Sequence, residues 1–364
     1  MPIPAIDTIV ADAIEQCIFP GAVVLVAHDA TLLHHAAYGR TTYDPVEGAP
    51  VHPATIYDIA SLTKMFTATA ALRLYDAGQL DLEAPVSVYL PSFHARTITV
   101  RHLLTHTSGL DLRLSALCRN GRDALLAEVY RTLPTHPPGS RVAYTNINSL
   151  VLGEIVAAVY GQPLDNAIDH LICRPLGLRH TAFRPNPALL TQIAPTEFDE
   201  AWRGCLVHGA VHDESAYALG GVAGHAGLFS TAGDLWTLCR AWLPPLPNGA
   251  DTLFLQPATI ALATTNHTPG LTHACGLGWM IDRPNFMGAA PAGSYGHTGF
   301  TGPALVIIPH HRLIIVVMSN RVHPRRSAPR HHAITAAIVA AAIEHHAQKT
   351  SYPKDGFTMK PGVL

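Results

Sequence analysis

Two pairs of apolar runs stand at opposite ends of this chain, and any fold it adopts has to bring them together. Residues 22–27 and 32–38 read as strands separated by the turn signal His28-Asp29-Ala30. Residues 304–308 and 313–318 repeat the pattern around Pro309-His310-His311-Arg312. Strands joined by such short connections pair antiparallel. Between the two pairs, helical periods run over residues 61–77, 100–105, 122–133, 148–160, 167–173 and 234–242, the last opened by Thr231 and Asp234 as a capping box. Further helical patterns cover 6–18, stopped by Pro20-Gly21, and the Ala-rich stretch 333–345. The simplest architecture is α/β (α+β): an antiparallel sheet flanked by N- and C-terminal helices, with a large mostly helical inserted lobe. Residues 1–346 then form a single domain, with a sheet lobe at about 1–60 and 285–346 and a helical lobe at about 61–284. Residues 347–364 read as a mobile tail. The cleft between lobes is where a ligand is expected.

Charge narrows the partners. The 364 residues carry a formal net charge of −2, with 14% charged and 48% hydrophobic residues. That composition excludes disorder and offers no basic footprint for nucleic acid or an anionic membrane. The six cysteines (Cys17, Cys118, Cys173, Cys205, Cys239, Cys275) are scattered, with no C-x-x-C pair, and read as reduced thiols. No charged segment followed by an apolar one opens the sequence, so the expected compartment is cytoplasmic.

The basic residues are divided unevenly. Of the four lysines, Lys349, Lys354 and Lys360 lie near the C-terminus, so the body holds only Lys64. Lys64 is three residues after Ser61, and i, i+3 positions share one helix face, within reach of each other. A serine needs a neighbouring base to act as a nucleophile, and a desolvated lysine at a helix start has its charged form disfavoured. The following residues, Met65-Phe66-Thr67-Ala68, are apolar enough to bury that lysine. Backbone N–H groups at the helix start also face any oxyanion formed there. A second match, Ser351-Tyr352-Pro353-Lys354, has a proline that forbids the same helical face.

Tyr144-Thr145-Asn146 follows a Pro-Pro-Gly-Ser turn, and residues two apart in an extended loop project to one side. A phenol could relay protons there, and a carboxamide could hold a carbonyl. Near the final strands, Gly296-His297-Thr298-Gly299-Phe300 supplies glycines that allow close approach of a substrate to strand backbone.

These three elements, in this order, resemble the serine β-lactamase and penicillin-binding-protein superfamily, with its S-x-x-K, Y-x-N and K-T-G (often H-T-G) motifs. The resemblance covers about residues 5–346 and is supported by Leu103-Leu104-Thr105-His106-Thr107-Ser108-Gly109-Leu110, Gly78-Gln79-Leu80-Asp81-Leu82 and Gly227-Leu228-Phe229-Ser230-Thr231. These segments look like the class C-like branch, which also holds esterases, D-aminopeptidases and D-Ala-D-Ala carboxypeptidases. The resemblance implies that Ser61 is acylated, that Lys64 and Tyr144 form the base pair, and that Asn146 contacts the acyl group. It also implies substrate binding along His297, Thr298, Gly299 and Phe300, with an oxyanion hole at the N–H groups of Ser61 and Phe300. No cofactor is implied, and the partner is a small ester, amide or lactam.

His297 departs from the lysine of K-T-G, which normally meets a substrate carboxylate. A histidine makes that charge conditional on pH and favours uncharged esters or amides. The alternatives are a β-lactamase, a D-Ala-D-Ala carboxypeptidase or D-aminopeptidase, and an idle scaffold of the same fold. The His102/His106 and His208/His212 pairs have helical spacing but lack H-E-x-x-H, so they read as structural. Ala292-Gly293-Ser294-Tyr295-Gly296 approximates the G-x-S-x-G of an α/β-hydrolase elbow, but the only acids after Ser294 are Glu344 and Asp355. The basic stretch Arg321, Arg325, Arg326 and Arg330 reads as a solvated loop rather than a phosphate site.

Overall fold

The computed structural model describes residues 3–244, 254–326 and 331–350. Its main sheet has six strands: β1 (Gly21–His28), β2 (Thr31–Gly39), β3 (Met280–Ile281), β4 (Tyr295–Thr298), β5 (Ala304–Ile308) and β6 (Leu313–Ser319). The spatial order is β2-β1-β6-β5-β4-β3, antiparallel throughout, so the two ends of the chain meet where β1 pairs with β6. Ala22 lies opposite Ser319 and His28 opposite Leu313, an unbroken register.

Both faces of this sheet are covered, which explains why its central strands read as continuous apolar runs and not as an alternation. On one face Ala22, Val24, Val26, Ile315 and Val317 pack with Ile6 and Val10 of the first helix (Pro4–Glu15) and Ile338 and Val339 of the last (His331–Thr350). On the other, Val23, Leu25, Leu305, Ile307 and Val316 join Met65 and Phe66 in the larger core shared with the helical region. The fold class is therefore the expected one.

Several details differ from the sequence reading. β3 falls inside the range assigned to the helical lobe, and the last helix takes in 347–350, assigned by composition to the tail. Residues 351–364, and with them Lys354 and Lys360, lie outside the described residues, as does Arg330. A second, small sheet joins Tyr57–Asp58 to two short strands of the helical region, Leu228–Ser230 and Ala182–Phe183, all too short to leave a periodic trace. Only half of the capping box forms at Ala232–Ala241. Thr231 accepts from the Asp234 N–H, but the Asp234 carboxylate turns away to the His180 N–H and the Thr181 hydroxyl, both at 2.8 Å. All six cysteines are free. Among the described residues no single helix is long and apolar enough to cross a membrane.

Candidate active site

The helix Thr63–Asp76 is buried on every side over its first ten residues, 63–72. Such a helix belongs inside a protein. Lys64 is carried into the core with it, 3% exposed, at the junction of the sheet and the helical region. A 3-10 turn, Ala60–Leu62, precedes the helix and presents Ser61.

Lys64 Nζ has three neighbours at hydrogen-bonding distance: Ser61 Oγ at 2.9 Å, Asn146 Oδ1 at 3.0 Å and the His225 carbonyl at 3.1 Å. The last two can only accept. A neutral amine that donates its two hydrogens to them directs its lone pair at the serine hydroxyl, the arrangement a general base requires.

Ala60, immediately before the serine, has φ of +45°, a conformation costing a side-chain-bearing residue about 1 kcal/mol. The strain is held by Asp58. Its Oδ1 accepts from the Ala60 N–H (2.8 Å), its Oδ2 from the His212 N–H (2.7 Å), and its carbonyl from the Thr301 hydroxyl (2.7 Å). One buried residue thus ties the serine turn to the segments carrying Asp213 and Phe300. Burial pushes its carboxyl above the usual range despite the hydrogen bonds from His212 and Ala60.

Gly299 brings β4 against the same turn: a Cβ there would lie 2.6 Å from the Ile59 carbonyl oxygen. Among the described residues, neither the Ser61 N–H nor the Phe300 N–H donates to another group of the protein. Both residues line one cleft of about 630 Å³ with Tyr144, Asn146, Asp213 and Thr298.

Tyr144 stands at the mouth, 44% exposed, between two imidazoles. Its ring centre is 4.8 Å from that of His106 and 5.8 Å from that of His297, and Lys64 Nζ is 5.1 Å from the ring centre. Asn148 Nδ2 donates to His106 Nδ1 (3.2 Å), so Asn146 and Asn148, at the start of the helix Asn146–Tyr160, support Lys64 and His106 respectively. Burial pushes both imidazoles down to about 3, with Lys64 adding to the effect. The pH-conditional charge expected of His297 is thereby corrected: burial beside Lys64 keeps the ring neutral.

Beyond Tyr144 the cleft continues into a second space of about 780 Å³ lined by His297, Thr298, Trp279, Phe286 and Arg283. Arg283 was not among the sequence candidates. Among the described residues its Nε is buried without a hydrogen-bond partner, and the one hydrogen bond of its terminal nitrogens runs to Cys275 Sγ at 3.5 Å. No carboxylate pairs with it among the described residues.

The remaining candidates are occupied elsewhere. His208 Nε2 is 2.8 Å from the Ile193 carbonyl, and His212 Nε2 is 2.8 Å from Glu197 Oε2. Ser294 is buried, and its hydroxyl donates to the Pro291 carbonyl. Arg326 pairs with Glu197 and Glu214, and Arg325 with Glu200. Arg321 lies over the Phe300 ring.

The β-lactamase family profile matches residues 6–340. A protein of Escherichia coli (strain K12) named "Putative D-alanyl-D-alanine carboxypeptidase" is 33% identical over 361 residues, covering 86% of this chain and 81% of its own. A protein of the same name from Salmonella typhimurium is 31% identical with the same coverage. Among solved structures, the octameric penicillin-binding protein homologue from Pyrococcus abyssi superposes with a TM-score of 0.74 at 22% identity, covering 94% of this chain and 78% of that one. EstCE1, a hydrolase with promiscuous acyltransferase activity, gives 0.73 at 23% identity over 92% and 98%. These structural likenesses speak for the fold.

Proposed function

Because this chain belongs to the β-lactamase family and is a serine hydrolase of that family, we propose that it works through an acyl-enzyme on Ser61. We infer further that its substrate is a small amide or ester bearing a carboxylate on the far side of the scissile bond. The observation that carries the first part is the Lys64 amine, with two contacts that only accept and a third to the Ser61 hydroxyl. In this reading Ser61 Oγ bonds to the substrate carbonyl carbon and passes its proton to Lys64. The N–H groups of Ser61 and Phe300 receive the oxyanion. The Tyr144 hydroxyl, at the mouth, delivers a proton to the leaving nitrogen or oxygen as the scissile bond breaks. The proton held by Lys64 replaces the one Tyr144 gave up; water then gives a proton to Lys64 and Tyr144 as it bonds to the acyl carbon, and Ser61 Oγ leaves with that proton as the acyl–oxygen bond breaks and the acid is released.

Arg283 supports the second part. The positive charge missing at His297 is present on the wall of the same space beyond Tyr144, where among the described residues Arg283 has no carboxylate of its own. Peptides ending in D-Ala-D-Ala carry such a carboxylate, and the curated relatives bear names of that class. A neutral ester is the second reading, favoured by the uncharged His297.

The test is labelling with a fluorophosphonate and a fluorescent penicillin, followed by a panel of a D-Ala-D-Ala peptide, its C-terminal amide, p-nitrophenyl acetate and nitrocefin. Labelling of the wild type and not of Ser61→Ala is expected, with the free-acid peptide preferred over its amide. Equal labelling of both proteins, or none of the wild type, overturns the acyl-enzyme and favours a scaffold. Preference for the amide overturns the carboxylate.

A further inference from the structure

Asp213 belongs to no sequence motif of the site, yet it closes a ring of contacts around Lys64. Asn146 Oδ1 faces the lysine amine at 3.0 Å, which fixes the amide orientation and points Nδ2 at Asp213 Oδ2, 3.4 Å away. Asp213 Oδ1 is held by the Ser215 hydroxyl (2.6 Å), the Ala216 N–H (2.8 Å) and His225 Nε2 (3.1 Å). The backbone carbonyl of that same His225 is the third neighbour of Lys64 Nζ, at 3.1 Å. The ring therefore runs from Lys64 through Asn146, Asp213 and His225 back to Lys64.

We propose that Asp213 is a positioning residue for the lysine: through Asn146 it sets the direction of the amine, and its charge stabilises the ammonium formed when Ser61 gives up its proton. Two features of the geometry support this. Asp213 is the carboxylate tied to Asn146, while among the described residues the other charged and titratable groups around Lys64 are His106, His297, Tyr144 and His225, the last paired with Asp213, with Arg283 beyond them. None of these supplies a negative charge. Asp213 also stays ionised: burial works against it, but His225, Ser215 and the Ala216 N–H together hold its carboxyl well below the usual carboxylate range. A fixed negative charge reached through an amide favours the protonated state of an amine, and the proton taken from serine has to rest there until it replaces the one that Tyr144 gives to the leaving group.

The inference rests on the acyl-enzyme reading of Ser61 and is tested by the pH dependence of kcat/KM for p-nitrophenyl acetate, a neutral probe with no need of Arg283. Asp213→Asn keeps the shape and a side chain able to cap the helix Glu214–Ala218. The plateau is expected to fall about tenfold, and the acidic limb of the profile to move about half a unit toward lower pH. Adding Asp213→Asn to Asn146→Ala should change the plateau less than twofold. A reduced plateau with an unmoved limb would mean that Asp213 is merely structural, and full additivity in the double variant would remove the route through Asn146. Both results overturn the proposal. A wild type that p-nitrophenyl acetate does not acylate overturns the Ser61 reading, and this inference with it.

Discussion

The imidazole of His297 lies against the ring of Tyr144, centres 5.8 Å apart, and its Nδ1 is 2.9 Å from the Thr298 carbonyl. A neutral ring in that position donates through Nδ1 and leaves Nε2 as an acceptor toward the site. His106, on the other side of Tyr144, is likewise buried and neutral. Both groups titrate near 3 in the folded protein and near 6.5 when unfolded, so between those values the unfolded chain binds more protons. Stability is then greatest above about pH 6.5 and falls as pH drops toward 3, each imidazole contributing a slope of about 1.4 kcal/mol per unit. Urea unfolding of the wild type and of His297→Gln across this window checks the sign: the variant should lose stability less steeply. Equal slopes would place the His297 proton elsewhere.

Gly299 is fixed by contact. An alanine Cβ would meet the Ile59 carbonyl oxygen at 2.6 Å, a backbone atom that cannot swing aside, so β4 must retreat from the turn presenting Ser61. That separates the two N–H groups proposed to receive the oxyanion. Gly299→Ala is expected to lower kcat by about 10²–10³, the effect of losing one such donor, with a smaller change in KM. Stopped-flow acylation measures it, and a variant with wild-type kcat would remove Phe300 N–H from the reaction.

How much of this could be read from sequence depends on the distance over which each feature is encoded. Ser61 and Lys64 are legible because a helix puts i and i+3 on one face and because the body has no other lysine. The sheet was legible because its strands, buried on both faces, are long apolar runs. Asp213 was not: it reaches Lys64 through Asn146, across sequence separations of 67 and 82 residues, and its neighbours mark it only as a helix cap. Asp58 carries no pattern beyond a two-residue strand. Arg283 matters because among the described residues no carboxylate pairs with it, a property of the tertiary structure alone. His297 misled for the same reason, since burial and not residue type decides whether an imidazole is charged.

If Lys64 acts as a neutral base, replacing it by arginine should be nearly as damaging as replacing it by alanine. The guanidinium retains its proton at any working pH and cannot point a lone pair at Ser61. Both variants are expected to lose about 10²–10⁴ in the rate of acylation, read as the burst with p-nitrophenyl acetate. An arginine variant that keeps most of the burst would show that only charge is needed there.

Arg283 decides between the two substrate readings. Burial of its Nε without a partner is costly in the free protein, and a carboxylate in the adjoining space would relieve it with charge-assisted hydrogen bonds. Removing the guanidinium in Arg283→Ala should therefore raise KM for a D-Ala-D-Ala peptide roughly 10- to 100-fold, corresponding to about 1.5–3 kcal/mol, while p-nitrophenyl acetate is hydrolysed nearly as before. Arg283→Lys keeps the charge but not the planar pair of donors, and should recover only part of the loss. If both substrates suffer alike, the residue supports the wall containing Trp279 and Phe286 and does not read a carboxylate; the neutral ester is then the better description of what enters the cleft.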